Sequence, residues 1–263
     1  MLLLTHTWIL REYLGVKQFS DDLLDLFTYN ASPDLLPIHA DITADMTHGI
    51  PRHGVIPPSY RKAAFARFHL LVDDMAHHGT IRHHPTRSFN PDSEGYAYKL
   101  GRALREPLAD FQKSLGLDVS AHLIAYQTHM IVEMAFDLAL YRGFGNTDLI
   151  DLFSEALRYT AGRGLAEFGS TVSWLFGVQE STVREAIGWG KDACTRERMN
   201  EFMDDPPRIG LFIDKFGLRG DEAKIRTGVG DLLAQGYNLV GDCEAFLQPT
   251  LKAIREFGFS SPL

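Results

Sequence analysis

The chain holds eleven histidines, His6, His39, His48, His53, His69, His77, His78, His83, His84, His122 and His129, and none follows His129. Histidine is the commonest metal ligand and an acid–base group near neutral pH, so the clustering points to a site in the first half of the chain. His83 and His84, beside Pro85, read more simply as solvated loop residues.

Two segments carry these residues at helical spacing. Wound at 100° per residue, Val119 to Arg142 places His122, Tyr126, His129, Glu133 and Asp137 on one stripe of about 80°. Nearly everything off that stripe is apolar or small, so the helix is expected to be buried on most sides and the stripe to face a solvent seam or an interior polar site. Buried ionisable groups must be paired or bind metal, and residues four apart, such as His129 and Glu133, can share one ion. The second segment, Ser59 to His78, has an apolar face of Ala64, Phe65, Phe68, Leu71, Val72 and Met75. His69, Asp73 and His77 run along its other face at spacings of four, with Asp74 and His78 flanking the same turn. A third element is the stretch Asn30-Ala31-Ser32-Pro33-Asp34, followed by His39, Asp41, His48 and His53. Pro33-Asp34 is equally readable as an ordinary turn or as part of a site, where a carboxylate can bridge two ions and imidazole suits zinc.

The elements that must position these groups read as helices throughout. Residues 1–30 look helical, with Ser20 as an N-cap. From Asn30 to Pro58 the chain looks irregular, and a loop this long is unusual unless functional or disordered. Pro57-Pro58-Ser59 starts the next helix and Gly79 ends it. After a polar loop from Thr80 to Gly95, helices are expected near 96–115, 119–142, 147–161, 164–176, 180–203, 206–216 and 221–257, the last broken near Gly236 to Gly241. Asn146, Ser181 and Asp221 are plausible N-caps, and Gly116, Gly143 and Gly258 plausible stops. No strand-like alternation and no internal repeat occur. The expectation is an all-α multi-helix bundle of nine to eleven helices in a single domain, residues 1–263. Within it, 1–142 is the metal-binding half and 143–263 is a helical half of unassigned role.

Composition narrows the class. Hydrophobic residues make up 45 % and charged residues 23 %, an ordinary globular balance. A formal charge of −8 argues against an extended nucleic-acid surface but leaves room for a site where metal supplies positive charge. Cys194 and Cys243 are too few for a disulfide framework and fit reduced thiols in a cytoplasmic protein. The opening MLLLTHTWILREYLG lacks a basic n-region and a small-residue cleavage site, so it does not read as a secretory signal. Leu123 to Leu140 is the most apolar stretch, but His129, Glu133 and Asp137 interrupt it, so no transmembrane segment is expected.

An early histidine, Pro-Asp in a following segment, a further histidine, H-x-x-x-D with histidine after it, and a closing H-x-x-x-E together resemble the zinc-dependent phospholipase C and P1 nuclease superfamily, as a distant intracellular member. The resemblance covers roughly residues 5–137. It implies an all-helical bundle and a cluster of two or three zinc ions hydrolysing a phosphoester through activated water. The implied ligands are His6, Asp34, His48 or His53, His69, Asp73, His77 or His78, His129 and Glu133. Asp34 would bridge metals and act catalytically on the attacking water, while His122, Tyr126 and Asp137 would support the ligands from behind. The implied substrate is a small-molecule or lipid phosphoester.

Other classes fit less well. A His-Asp phosphohydrolase needs an adjacent His-Asp pair, and a di-iron carboxylate bundle needs Glu-x-x-His; neither occurs. The alternative from another class is a non-catalytic helical scaffold, or a degenerate relative with a structural metal site. The C-terminal half offers no nameable chemistry: Trp174, Phe176 and Trp189 read as packing residues, and Gly228-Val229-Gly230 lacks the strand a phosphate loop requires.

Overall fold

A computed structural model of the chain describes residues 3–15, 20–83, 90–143 and 147–259, and among these there are helices and no strand. The first half comprises α1 (Leu3–Leu14), α2 (Asp21–Leu24), α3 (Leu26–Leu35), α4 (Ala44–His48), α5 (Ala63–His78), α6 (Tyr96–Gly101), α7 (Arg105–Ser114) and α8 (Ala121–Gly143). The second half comprises α9 (Thr147–Gly162), α10 (Leu165–Phe176), α11 (Glu180–Ala193), α12 (Arg196–Glu201), α13 (Asp205–Lys215), α14 (Glu222–Val240) and α15 (Glu244–Glu256). Three single-turn 3-10 helices join α3 to the loop after it, precede α5, and link α6 to α7. The all-α expectation holds. The segments outnumber the nine to eleven expected, because several long stretches are divided by caps.

α8 runs through the middle of the first half. It packs along α14 on one side and against α6, α7 and α1 on others, which is why nearly all of its residues from Ile124 to Leu140 are buried. α3 lies against α5, and α1 bridges α3 and α8. Phe27, Phe65, Phe68, Phe136, Phe153 and Phe168 are fully buried in the continuous core. No helix among the described residues is long and apolar enough to cross a membrane.

Several boundaries differ from the expectation, each for a local reason. The stretch expected to be irregular from Asn30 begins as helix: α3 continues to Leu35 with Pro33 inside it. Proline removes the N–H that would bond the carbonyl four residues back, and here Ser32 Oγ donates to that carbonyl, Tyr29 O, at 2.7 Å. Asp34 therefore sits on a helix and not in a turn. α4 is a further helical element in the same stretch, capped by Thr43, whose hydroxyl accepts from Met46 N. The helix expected from Ser59 starts properly at Ala63, after the 3-10 turn Pro58–Tyr60. Residues 180–203 divide at Thr195, whose side chain caps α12 by accepting from Arg198 N. The break expected near Gly236 to Gly241 lies at the Gly241 end of that range. α14 passes through Gly236, where a Cβ would meet Ile131 Cγ2 of α8 at 2.8 Å.

Asp221 caps α14 through Lys224 N as expected. Ser20 precedes α2 without a side-chain cap bond, and α11 is preceded by Gln179, not Ser181. Gly79 ends α5 in the left-handed conformation, φ 73°, with its N–H on Met75 O, a geometry that glycine adopts without steric cost. Asn146 and His84 lie outside the described residues.

Candidate metal centre

Five helices project ligand-type side chains to one place. α5 contributes His69, Asp73 and His77, one turn apart along a single face. α3 contributes Asp34, α4 ends on His48, α1 contributes His6, and α8 contributes His129 and Glu133. Their donor atoms form three groups, each with all atoms within 4.8 Å of one another: His6, His69 and Asp73; Asp34, His48 and His69; and His77, His129 and Glu133.

The first two groups share His69 and close around Asp73. His48 Nε2 lies 3.2 Å from Asp34 Oδ1 and 3.4 Å from Asp73 Oδ2. His69 Nε2 lies 3.3 Å from Asp73 Oδ2 and 3.7 Å from Asp34 Oδ2. The other Asp73 oxygen, Oδ1, is 3.4 Å from His6 Nε2. A tetrahedral ion with bonds of about 2.0–2.1 Å has ligand–ligand edges of about 3.3 Å, and the four distances from His48 and His69 to Asp34 and Asp73 are near that size. Both ring nitrogens of His6 and of His69 are buried with no hydrogen bond, as is Asp73 Oδ1. Buried polar atoms are ordinarily satisfied; here they converge on each other at distances suited to a shared cation. The donor set, imidazole with carboxylate, fits zinc.

The third group joins the end of α5 to α8. His77 Nε2 and Glu133 Oε1 are hydrogen-bonded at 2.8 Å, and the His77 and His129 rings meet edge-on with centroids 5.5 Å apart. His129 is held by Tyr98, stacked on it at 4.5 Å, and by the edge of Tyr126 at 4.9 Å. Three protein donors leave room for a further ligand. The accessible side chains of the centre are Asp34, His48 and His77, each about a quarter exposed, whereas His6, His69, Asp73, His129 and Glu133 are buried.

The electrostatics are those of a dense, mutually dependent cluster. Burial, then the neighbouring His69, pushes His6 down to about 4. Burial alone would also lower His48, but Asp34 and Asp73 outweigh it and lift His48 to about 10. His69 is raised in the same way, against its burial, by Asp73 and Asp34. Against their own burial, Asp34 and Asp73 are held well below the usual carboxylate range by the surrounding positive charge, which includes His69 and His48. Burial drives His129 down to about 3. Its helix partner Glu133 is lowered despite burial, with His129 and the bond to His77 contributing.

Backbone anchors fix these side chains. Asn30 Nδ2 donates to His6 O at 3.0 Å, joining α3 to α1. Thr47 Oγ1 donates to Pro33 O at 2.8 Å, drawing α4 onto the end of α3, so that Asp34 and His48 meet. Arg52 pairs with Asp74 through both Nε and Nη2, while its Nη1 donates to His48 O and Ile50 O. Asp137 accepts from Leu4 N, Thr5 N and the Thr5 hydroxyl, satisfying the open N–H groups of the first turn of α1 from α8. Ser93 Oγ donates to His77 O, and a Cβ on Gly95 would fall 2.1 Å from His77 C.

Of the ten residues expected from the sequence, eight meet in these groups: His6, Asp34, His48, His69, Asp73, His77, His129 and Glu133. His53 and His78 belong to none of them. His53 is exposed and faces His83, with ring centroids 5.5 Å apart. His78 is turned 100° around α5 from His77, and burial lowers it to about 4. Tyr126 reaches His129 and Asp137 braces α1, whereas His122 is exposed. Sequence reasoning did not find Tyr98, Ser93, Gly95 or the Arg52–Asp74 pair.

Comparison with protein-family models, with characterised proteins and with solved structures finds no match to the chain.

Proposed function

We propose that this protein is a zinc-dependent phosphoesterase acting on a small-molecule or lipid phosphoester. The observation that carries the reading is Asp73, whose two oxygens lie within 3.4 Å of three histidines from three helices, with the three-donor group of His77, His129 and Glu133 one helical turn away. The resemblance in motif order to the zinc-dependent phospholipase C and P1 nuclease superfamily supports it independently.

Asp34, His48, His69 and Asp73 would hold one ion and His77, His129 and Glu133 a second; His6, beside the free oxygen of Asp73, is the natural donor to a third. Bound there, zinc would supply positive charge for phosphate oxygens and acidify a water for attack. The chain's own groups do the rest. Asp34 is the partly exposed carboxylate of the cluster, placed to accept a proton from the attacking water. Tyr98 and Tyr126 fix the plane of the His129 ring, and Asp137 fixes the α1 turn that presents His6, so the donors are preorganised on rigid helices. The two free thiols, Cys194 and Cys243, fit a cytoplasmic enzyme.

The test is hydrolysis of bis-p-nitrophenyl phosphate and p-nitrophenyl phosphate by chelator-treated protein before and after zinc is restored. Zinc-dependent turnover that is lost in Asp34→Asn supports the reading. Metal binding with no turnover on either ester would favour a structural metal site in a helical scaffold.

A further inference from the structure

Behind the metal centre, the first turn of α1, α8 and the ends of α11 to α13 enclose a cavity of about 160 Å³. Its wall is almost wholly apolar, with Leu4, Met134, Met199, Phe202, Met203 and Leu211 facing it. Phe202 and Leu211 are 39 % and 41 % exposed, so the cavity has a hydrophobic mouth. Two side chains able to carry charge at neutral pH also line it, Asp137 and Arg208, together with the Cys194 thiol.

These two differ in what they have left to offer. Both Asp137 oxygens are taken by Leu4 N, Thr5 N and the Thr5 hydroxyl. Arg208 is 4 % exposed and makes no ion pair among the described residues. Its Nη2 donates to Phe202 O at 3.0 Å and meets Met203 Sδ at 3.5 Å, while Nη1 is buried with no hydrogen-bond partner. Asp137, Asp205 and Asp204 offset only part of the cost of burying Arg208, and a guanidinium in an apolar wall with no ion pair is costly. It is also the group best shaped to receive a carboxylate.

We propose that this cavity is a binding site for a short-chain aliphatic carboxylate, its head on Arg208 and its tail among Met134, Met199, Met203 and Phe202. Methionines adapt to a flexible tail better than branched side chains do. A dry cavity of about 150 Å³ accommodates a benzene-sized molecule, which sets the tail near that of hexanoate. The site is separate from the metal centre and does not rest on the phosphoesterase reading.

The experiment is calorimetric titration of the full chain with hexanoate, 1-hexanol and hexylammonium, with and without zinc, alongside methionine-methyl NMR. The expected result is that hexanoate binds at least about tenfold more tightly than either neutral or cationic analogue. The Met134, Met199 and Met203 methyl resonances should move while those of Met46 and Met75 stay. Arg208→Met should remove the preference for the carboxylate. Equal affinity for the three probes, no binding, or methyl shifts elsewhere would overturn the proposal. The probe comparison and the methyl shifts are read on wild-type protein, so they decide even if Arg208→Met fails to fold.

Discussion

The imidazole rings of His6 and His69 stack face to face, 3.6 Å between centroids and 11° from parallel, fully buried and 63 residues apart in the chain. Two such rings cannot both carry a proton. Asp73 and Asp34 favour protonation of His69, and His6 is left neutral.

That asymmetry sets a pH dependence for the metal-free protein. An unfolded histidine binds a proton below about 6.5, whereas native His6 and His78 do so only near 4. Between those values the unfolded chain holds more protons, so stability falls as pH drops from 6.5 towards 4. His48 acts on the other flank: its contribution is fully present below pH 6.5 and is lost as pH rises through about 10. Thermal unfolding of chelator-treated protein across pH 4.5–9.5 should therefore peak near 6.5, with a shallower acid limb in His6→Asn. An acid limb unchanged by that substitution would contradict the assignment of His6 as neutral.

Gly95 is expected to control the three-donor group. A methyl there would sit 2.1 Å from His77 C and 2.4 Å from His77 O, so the end of α5 must move. Gly95→Ala should cost about 1–3 kcal/mol and lower metal affinity at His77, His129 and Glu133, while leaving the four-donor group intact. Cobalt substitution followed by visible absorption distinguishes the two environments. Loss of both signals together would mean that Gly95 acts on the whole fold.

The Arg52–Asp74 pair separates stability from positioning. Breaking a buried pair costs about 3–5 kcal/mol, while replacing both partners by apolar residues is often nearly neutral. Arg52→Ala should therefore lower the unfolding temperature sharply. Arg52→Met with Asp74→Leu should recover much of it. Neither variant keeps the bond from Arg52 to His48 O, so both should show weakened metal binding at Asp34 and His48 by zinc titration. Full recovery of metal affinity in the double variant would show that Arg52 does not position His48.

How much was legible in the sequence depended on whether the information was local. The ladder His69, Asp73, His77 and the stripe His129, Glu133, Asp137 follow from helical spacing alone, and both occur on the faces expected of them. The same stripe begins exposed at His122 and Tyr126 and ends buried at Asp137, so it runs from solvent into the interior. Asp34 was misplaced in a loop because Pro33 ordinarily interrupts a helix, and the compensating hydroxyl of Ser32 is a detail of side-chain geometry. His48 and His53 are indistinguishable by type. Only the short helix α4 and the anchors at Thr47 and Arg52 select His48. Gly95 looked like an ordinary loop glycine, since its reason, the approach of His77, comes from a different helix.

The most direct test is metal content by mass spectrometry on untagged protein offered zinc, for wild type, Asp73→Asn and His129→Ala. The expected result is two or more zinc ions per chain in wild type, with His129→Ala losing the ion of the three-donor group. Asp73→Asn should lose at least the ion of the four-donor group. Less than one zinc per chain in folded wild-type protein would contradict the metal centre.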